Sequence, residues 1–169
     1  MDTQYSALNN AVQDLNAQVA NETDQLEKSV DDVETAIGKI DAELSYELLS
    51  DGFKYKFVPE KKSFADAEAA CVVEGGHLAM SKTLASLASL NDFTAADGVW
   101  IGIEKSDSNT IHYVDDAAKS TPVDQSLTNW DTSEPSANAS LKCASIATSQ
   151  KWTLVDCTAT KFFLCQRNS

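Results

Sequence analysis

Four cysteines, Cys71, Cys143, Cys157 and Cys165, place the strongest chemical constraint on this 169-residue chain. They permit three disulfide pairings, and their spacing does not choose among them. No CxxC and no histidine at a zinc-ligand interval accompanies them, so bridges are expected rather than a metal centre. Asn21-Glu22-Thr23 and Asn138-Ala139-Ser140 are acceptor sequons for N-glycosylation. Together with an even cysteine count they point to an oxidising, secretory setting. Asp124, Asp131, Glu134 and Asp156 offer oxygen ligands for a hard cation or for sugar hydroxyls. Such loop acids are more often simply solvated. His112 has no nucleophile near it in sequence, and no phosphate loop, HExxH, GxSxG or paired-carboxylate motif occurs. An enzyme is not expected, nor is a cofactor.

The elements that must carry these residues fall into two regimes. Of a formal net charge of -13, residues 1–50 contribute -9, from eleven acids against Lys28 and Lys39. That acidity argues against nucleic acid and anionic membranes as partners. No apolar run approaches the roughly 18 residues that span a bilayer. No signal-peptide pattern follows Met1, so for a secreted form the expectation is either that Met1 is an introduced start or that a leader has been removed.

Residues 5–48 hold no Pro, no Cys and one Gly, and carry an apolar series: Tyr5, Leu8, Val12, Leu15, Val19, Leu26, Val30, Val33, Ile37, Ile40 and Leu44. Steps of three and four alternate, with Glu22 in the vacant slot and a stutter between Glu22 and Val33. The pattern predicts a coiled coil. A stripe two positions wide per heptad suits a seam between like helices better than a face folded back on a globular core. Val12 with Leu15 favours two strands, whereas Val30, Val33, Ile37 and Ile40 favour three. The expected partner is therefore a second or third copy, as a parallel homodimer or homotrimer.

Beyond Ser50-Asp51-Gly52 the pattern changes. Lys54–Phe57 alternates as a half-buried strand does, Ser63 with Asp66 reads as a helix cap, and Gly75-Gly76 ends that helix. A second helix is expected around Leu84–Asn91. Strands are expected at Val99–Ile103, Ile111–Val114, Cys143–Ile146, Trp152–Cys157 and Phe162–Cys165. Residues 115–140 are polar and without period, a length of loop that is commonly functional.

These residues resemble the C-type lectin-like domain. The likeness rests on Cys71, Glu74-Gly75-Gly76-His77-Leu78-Ala79, Trp100-Ile101-Gly102-Ile103, Asn129-Trp130, Glu134-Pro135-Ser136, Cys143, Trp152 and Phe163-Leu164-Cys165. The resemblance implies an α+β fold, with two helices, small antiparallel sheets and a long loop, preceded by the long helical coiled coil. Domains are expected at 1–50, an oligomerisation stalk, and 51–169. It implies bridges Cys71–Cys165 and Cys143–Cys157. The family's calcium site uses Glu-Pro-Asn, a Glu ahead of the first inner cysteine, and Trp-Asn-Asp. Here Ser136 replaces the Asn, Leu141-Lys142 precedes Cys143, and Thr153-Leu154 follow Trp152. One carboxylate of five ligands remains, so no metal site is expected. His77 and the three tryptophans, Trp100, Trp130 and Trp152, are expected to be structural.

The expected function is multivalent extracellular recognition of a glycan or protein ligand, engaged by loops 115–140 and 147–156 without calcium. Candidate binding residues are Asn129, Asp131, Glu134, Ser136, Lys151 and Thr153. The other reading of the same fold is a structural or matrix protein that contacts mineral or ice.

Overall fold

A computed structural model describes residues 2–116 and 121–169. Segment 117–120 of the long loop and the side chains of Asp2 and of residues 41–44, Leu44 among them, lie outside the described residues. The chain divides into two compact units, Met1–Leu44 and Ser45–Ser169.

The first unit is one helix, α1 (Asp2–Leu44), of 43 residues, roughly 65 Å long at ~1.5 Å per residue. Its apolar series shares one face, and every described member is exposed, from 49% at Val12 and Val30 to 76% at Tyr5. Polar side chains support the helix locally. Gln18 donates to Glu22 at 3.0 Å across one turn, a pair worth a few tenths of a kcal/mol, about 0.2–0.5.

In the second unit the strands join one mixed network in the order β1-β2-β8-β4-β6-β7, with β3 on β8 and β5 on β4. They are β1 (Glu47–Leu48), β2 (Phe53–Lys62), β3 (His77–Leu78), β4 (Val99–Lys105), β5 (Ile111–Tyr113), β6 (Cys143–Ile146), β7 (Trp152–Val155) and β8 (Lys161–Asn168). Pairings are antiparallel except β4 with β8. Two helices of this unit, α2 (Phe64–Val73) and α3 (Leu84–Asn91), accompany the strands.

Local chemistry explains the helix ends. Ser63 caps α2 by accepting from Asp66 N, a device worth about 1 kcal/mol. At the other end Gly75 N donates to Val72 O and Gly76 N to Cys71 O, both at 3.0 Å. This is a Schellman closure, and it requires the left-handed φ of 81° that Gly75 adopts. Thr83 and Ser86 form a reciprocal capping box on α3.

The central strand β4 separates two cores. Val99, Ile101 and Ile103 join one with Tyr55, Leu90, Ile146, Trp152 and Leu164. Trp100 joins the other with Phe64, Ala67, Leu78 and Phe163. Gly102 lets the segment at Leu78 approach closely, since a Cβ there would meet Leu78 O at 2.3 Å. Its own N donates to Ala79 O at 2.8 Å. The alternation read in β2 is only partly realised. Tyr55 is buried, while Phe57 is 36% exposed and rests against Phe162 with ring centroids 5.8 Å apart.

The bridges are Cys71–Cys165, joining α2 to β8, and Cys143–Cys157, closing the β6–β7 hairpin. This is the pairing that the resemblance implied.

Candidate functional site

Among the described residues β7 ends the sheet order, so one of its edges has no strand partner. An open edge invites aggregation unless something covers it. Here the long loop does. Trp152 N donates to Asn129 O and Asp131 N donates to Trp152 O, both at 2.9 Å. One step further along the edge the loop supplies a side chain instead of backbone. Glu134 Oε2 accepts from Leu154 N at 3.2 Å and from Ser136 N at 2.7 Å. Trp130 meets Trp152 edge-on, with centroids 5.7 Å apart and planes at 84°, which packs the loop onto the strand it hydrogen-bonds.

The structure brings the six sequence candidates to this edge. Asn129 Oδ1 accepts from Lys151 Nζ at 2.7 Å, while its Nδ2 donates to Gln150 O at 2.8 Å. The β6–β7 turn is thereby tied to the loop. Asp131 is exposed; its Oδ1 accepts from Thr132 N at 2.7 Å and its carbonyl from Glu134 N at 3.0 Å. Ser136 is held by Glu134 through its backbone N, as above. Thr153, half-buried, lies between Trp152 and Leu154 and pairs with Ser145 across the hairpin. Two neighbouring carboxylates are committed to backbone. Asp124 and Asp156 are both held below the usual carboxylate range by the N–H groups they accept from, Ser126 and Thr158. The ion pair with Asp107 at 2.5 Å pushes the Lys142 ammonium up.

One residue at this site escaped the sequence reading. Lys105, at the end of β4, is 2% exposed. Its Nζ donates to Ser136 O and to Asn138 O, both at 2.7 Å. The signal was present: Val99, Ile101, Ile103 and Lys105 share one parity, so the lysine continues an inward-facing row.

These donors do not fit a calcium ion. Glu134, the one carboxylate in the family's slots, spends its Oε2 on two backbone N–H groups. Leu154 is buried in the core and Leu141 packs against it. An ammonium already lies 2.7 Å from Ser136 O, and a second cation beside it would be repelled.

The remaining candidates are accounted for by packing. Trp100 and Trp152 are fully buried, and Trp100 Nε1 donates to Lys62 O at 2.9 Å. His77 Nδ1 lies 2.5 Å from Glu68 Oε1, whose other oxygen accepts from Leu78 N at 2.7 Å. Asn138 is exposed, with its Oδ1 accepting from Ser140 N at 2.9 Å. Among the described residues no helix is long and apolar enough to cross a membrane.

Known proteins share this fold. The family model described as the lectin C-type domain matches residues 60–167. Human Collectin-10 is 29% identical over 116 residues, a stretch that covers 66% of this chain and 40% of that protein's length. The carbohydrate-recognition domain of the mouse scavenger receptor C-type lectin superposes with a TM-score of 0.63 at 22% identity, covering 73% of this chain and 95% of that domain. A calcium-independent type II antifreeze protein superposes with a TM-score of 0.63 at 24% identity, covering 73% and 92%.

Proposed function

We infer this protein's role from one premise: the chain belongs to the C-type lectin domain family. On that premise we propose an extracellular recognition protein that binds a glycan or protein ligand without calcium, in several copies on a helical stalk. The observation that carries the binding site is the long loop laid along the β7 edge. It carries Asn129 and the exposed Asp131 on either side of Trp130, with the Asn129–Lys151 hydrogen bond at 2.7 Å joining loop to hairpin. An amide, a carboxylate and an ammonium together offer the acceptors and donors that sugar hydroxyls need. Ser136 and Thr153 flank them.

The stalk supports multivalency. A row of apolar side chains about half exposed or more along α1 is the kind of surface that a second or third parallel copy buries. Weak sites held together bind a patterned surface roughly 10²-fold or more tightly than one site alone. The likeness to Collectin-10 and the two bridges favour secretion. No catalysis is part of this reading.

A second reading is favoured by the likeness to a calcium-independent antifreeze protein: a structural protein that contacts ice or mineral. A glycan array run in calcium and in chelator separates the two. Chelator-insensitive carbohydrate binding supports the lectin reading, and binding abolished by chelator overturns its calcium-free part. An empty array together with ice-recrystallisation inhibition or mineral adsorption selects the second.

A further inference from the structure

We propose that Lys105 is the resident cation of the long loop, a positioning residue whose ammonium organises the carbonyls of Ser136 and Asn138 so that the loop needs no metal. The inference rests on the calcium-free reading above and supplies its physical cause.

Lys105 enters from the core side. It continues the buried row of β4 and is itself 2% exposed. Among the described residues its ammonium has no carboxylate partner; it is solvated by two backbone oxygens at 2.7 Å. Neutral carbonyls at short range are the surroundings a protein gives a hard cation. The same residue also holds the loop through its backbone, because Lys105 N donates to Lys142 O at 2.8 Å. Three carbonyls between positions 136 and 142 thus converge on one lysine.

The opposite side of the loop is gripped by an anion. Glu134 accepts from the N–H of Ser136 while Lys105 donates to its carbonyl. The residue in the slot where the family places an amide ligand for calcium is therefore held at both backbone ends by charged side chains. A buried ammonium is strongly unfavourable unless its hydrogen bonds are made. Opening the loop would break both charge-assisted hydrogen bonds, so they favour the closed loop.

The test is amide hydrogen exchange on the ligand-free protein, comparing wild type, Lys105→Met and Lys105→Ala. In Lys105→Met the amides of Ser136, Asn138, Ser140 and Leu141 should exchange about tenfold faster or more, the scale of lost charge-assisted hydrogen bonds. Amides of β6 should be unchanged. Propylammonium added to Lys105→Ala should restore loop protection, whereas propanol, of the same shape without the charge, should not. Unchanged loop exchange in Lys105→Met, or equal rescue by propanol, overturns the proposal. If a neutral variant folds only with additive, folding in propylammonium alone supports it, and folding in both additives or in neither overturns it. No ligand enters this measurement. An empty glycan array would sink the recognition reading and leave Lys105 in place, while normal exchange in Lys105→Met would do the reverse.

Discussion

Glu134 Oε2 accepts a hydrogen bond from Leu154 N at 3.2 Å, so a side chain of the long loop completes the open edge of a strand 20 residues away. This makes Glu134 a brace. Glu134→Ala should lower stability by about 1–3 kcal/mol, since two backbone N–H groups lose a charged acceptor. Glu134→Gln keeps an acceptor oxygen and should stay within about 1 kcal/mol of wild type. Urea unfolding in calcium and in chelator measures both. A Glu134→Gln loss that appears only when calcium is present would mark this residue as a metal ligand instead.

Calcium itself should leave the protein's melting unchanged. A ligand at 1,000 times its Kd stabilises by about 4 kcal/mol, which no calorimetric scan would miss. Coincident melting curves in millimolar calcium and in chelator are expected. Restoring Ser136→Asn, Leu141→Glu, Thr153→Asn and Leu154→Asp together should still give no calcium-dependent shift while Lys105 is present. A shift in that variant would show that the donors alone had been limiting.

The two bridges should contribute unequally. Cys71–Cys165 spans 94 positions and Cys143–Cys157 spans 14. The chain-entropy relation assigns about 4.7 and about 3 kcal/mol to loops of those sizes. Replacing Cys71 and Cys165 by Ala should therefore lower the denaturation midpoint more than replacing Cys143 and Cys157. The melting of α1, which has no cysteine, should be insensitive to either change.

Alkaline pH should unfold the globular unit through its tyrosines. Burial, then the hydrogen bond and charge of Asp51, push the Tyr55 hydroxyl well above its ordinary value. Burial, followed by Glu74, does the same for Tyr46, and burial raises Tyr113. A folded value above the unfolded one means that the stabilisation is complete below about pH 10 and is lost as pH rises towards the folded values. Absorbance at 295 nm should show these three tyrosines ionising together with the loss of circular dichroism. Normal ionisation of Tyr46, Tyr55 and Tyr113 in a still-folded protein would contradict this.

Self-association should depend on the α1 stripe. Val33→Asp with Ile37→Asp should convert a dimer or trimer to monomer in sedimentation, because each assembly would bury unpaired charges. A fragment beginning at Ser45 should sediment as a monomer. Wild type that remains monomeric at high concentration would remove the multivalent part of the proposal.

What was legible in the amino-acid order was local. The heptad stripe of α1 is a period of 3.5, readable from side-chain type alone. Ser63 with Asp66 and Gly75-Gly76 bracket α2 because caps and left-handed turns are decided within six residues. Val99 to Ile103 reads as a buried strand because nothing polar interrupts it. The cysteine pairing was different: spacing permitted three answers, and only the resemblance to a family selected the one observed. The site lay between these cases. Asn129, Asp131, Glu134, Ser136, Lys151 and Thr153 could be named, but their roles depended on which strand the loop would cover. Only the tertiary structure decided that β7 is the edge, that Glu134 spends its carboxylate on Leu154 and Ser136, and that Lys105 reaches two carbonyls more than 30 positions away. The physical reason is that a hydrogen bond depends on distance and direction in space. Sequence separation fixes neither once a chain has turned back on itself.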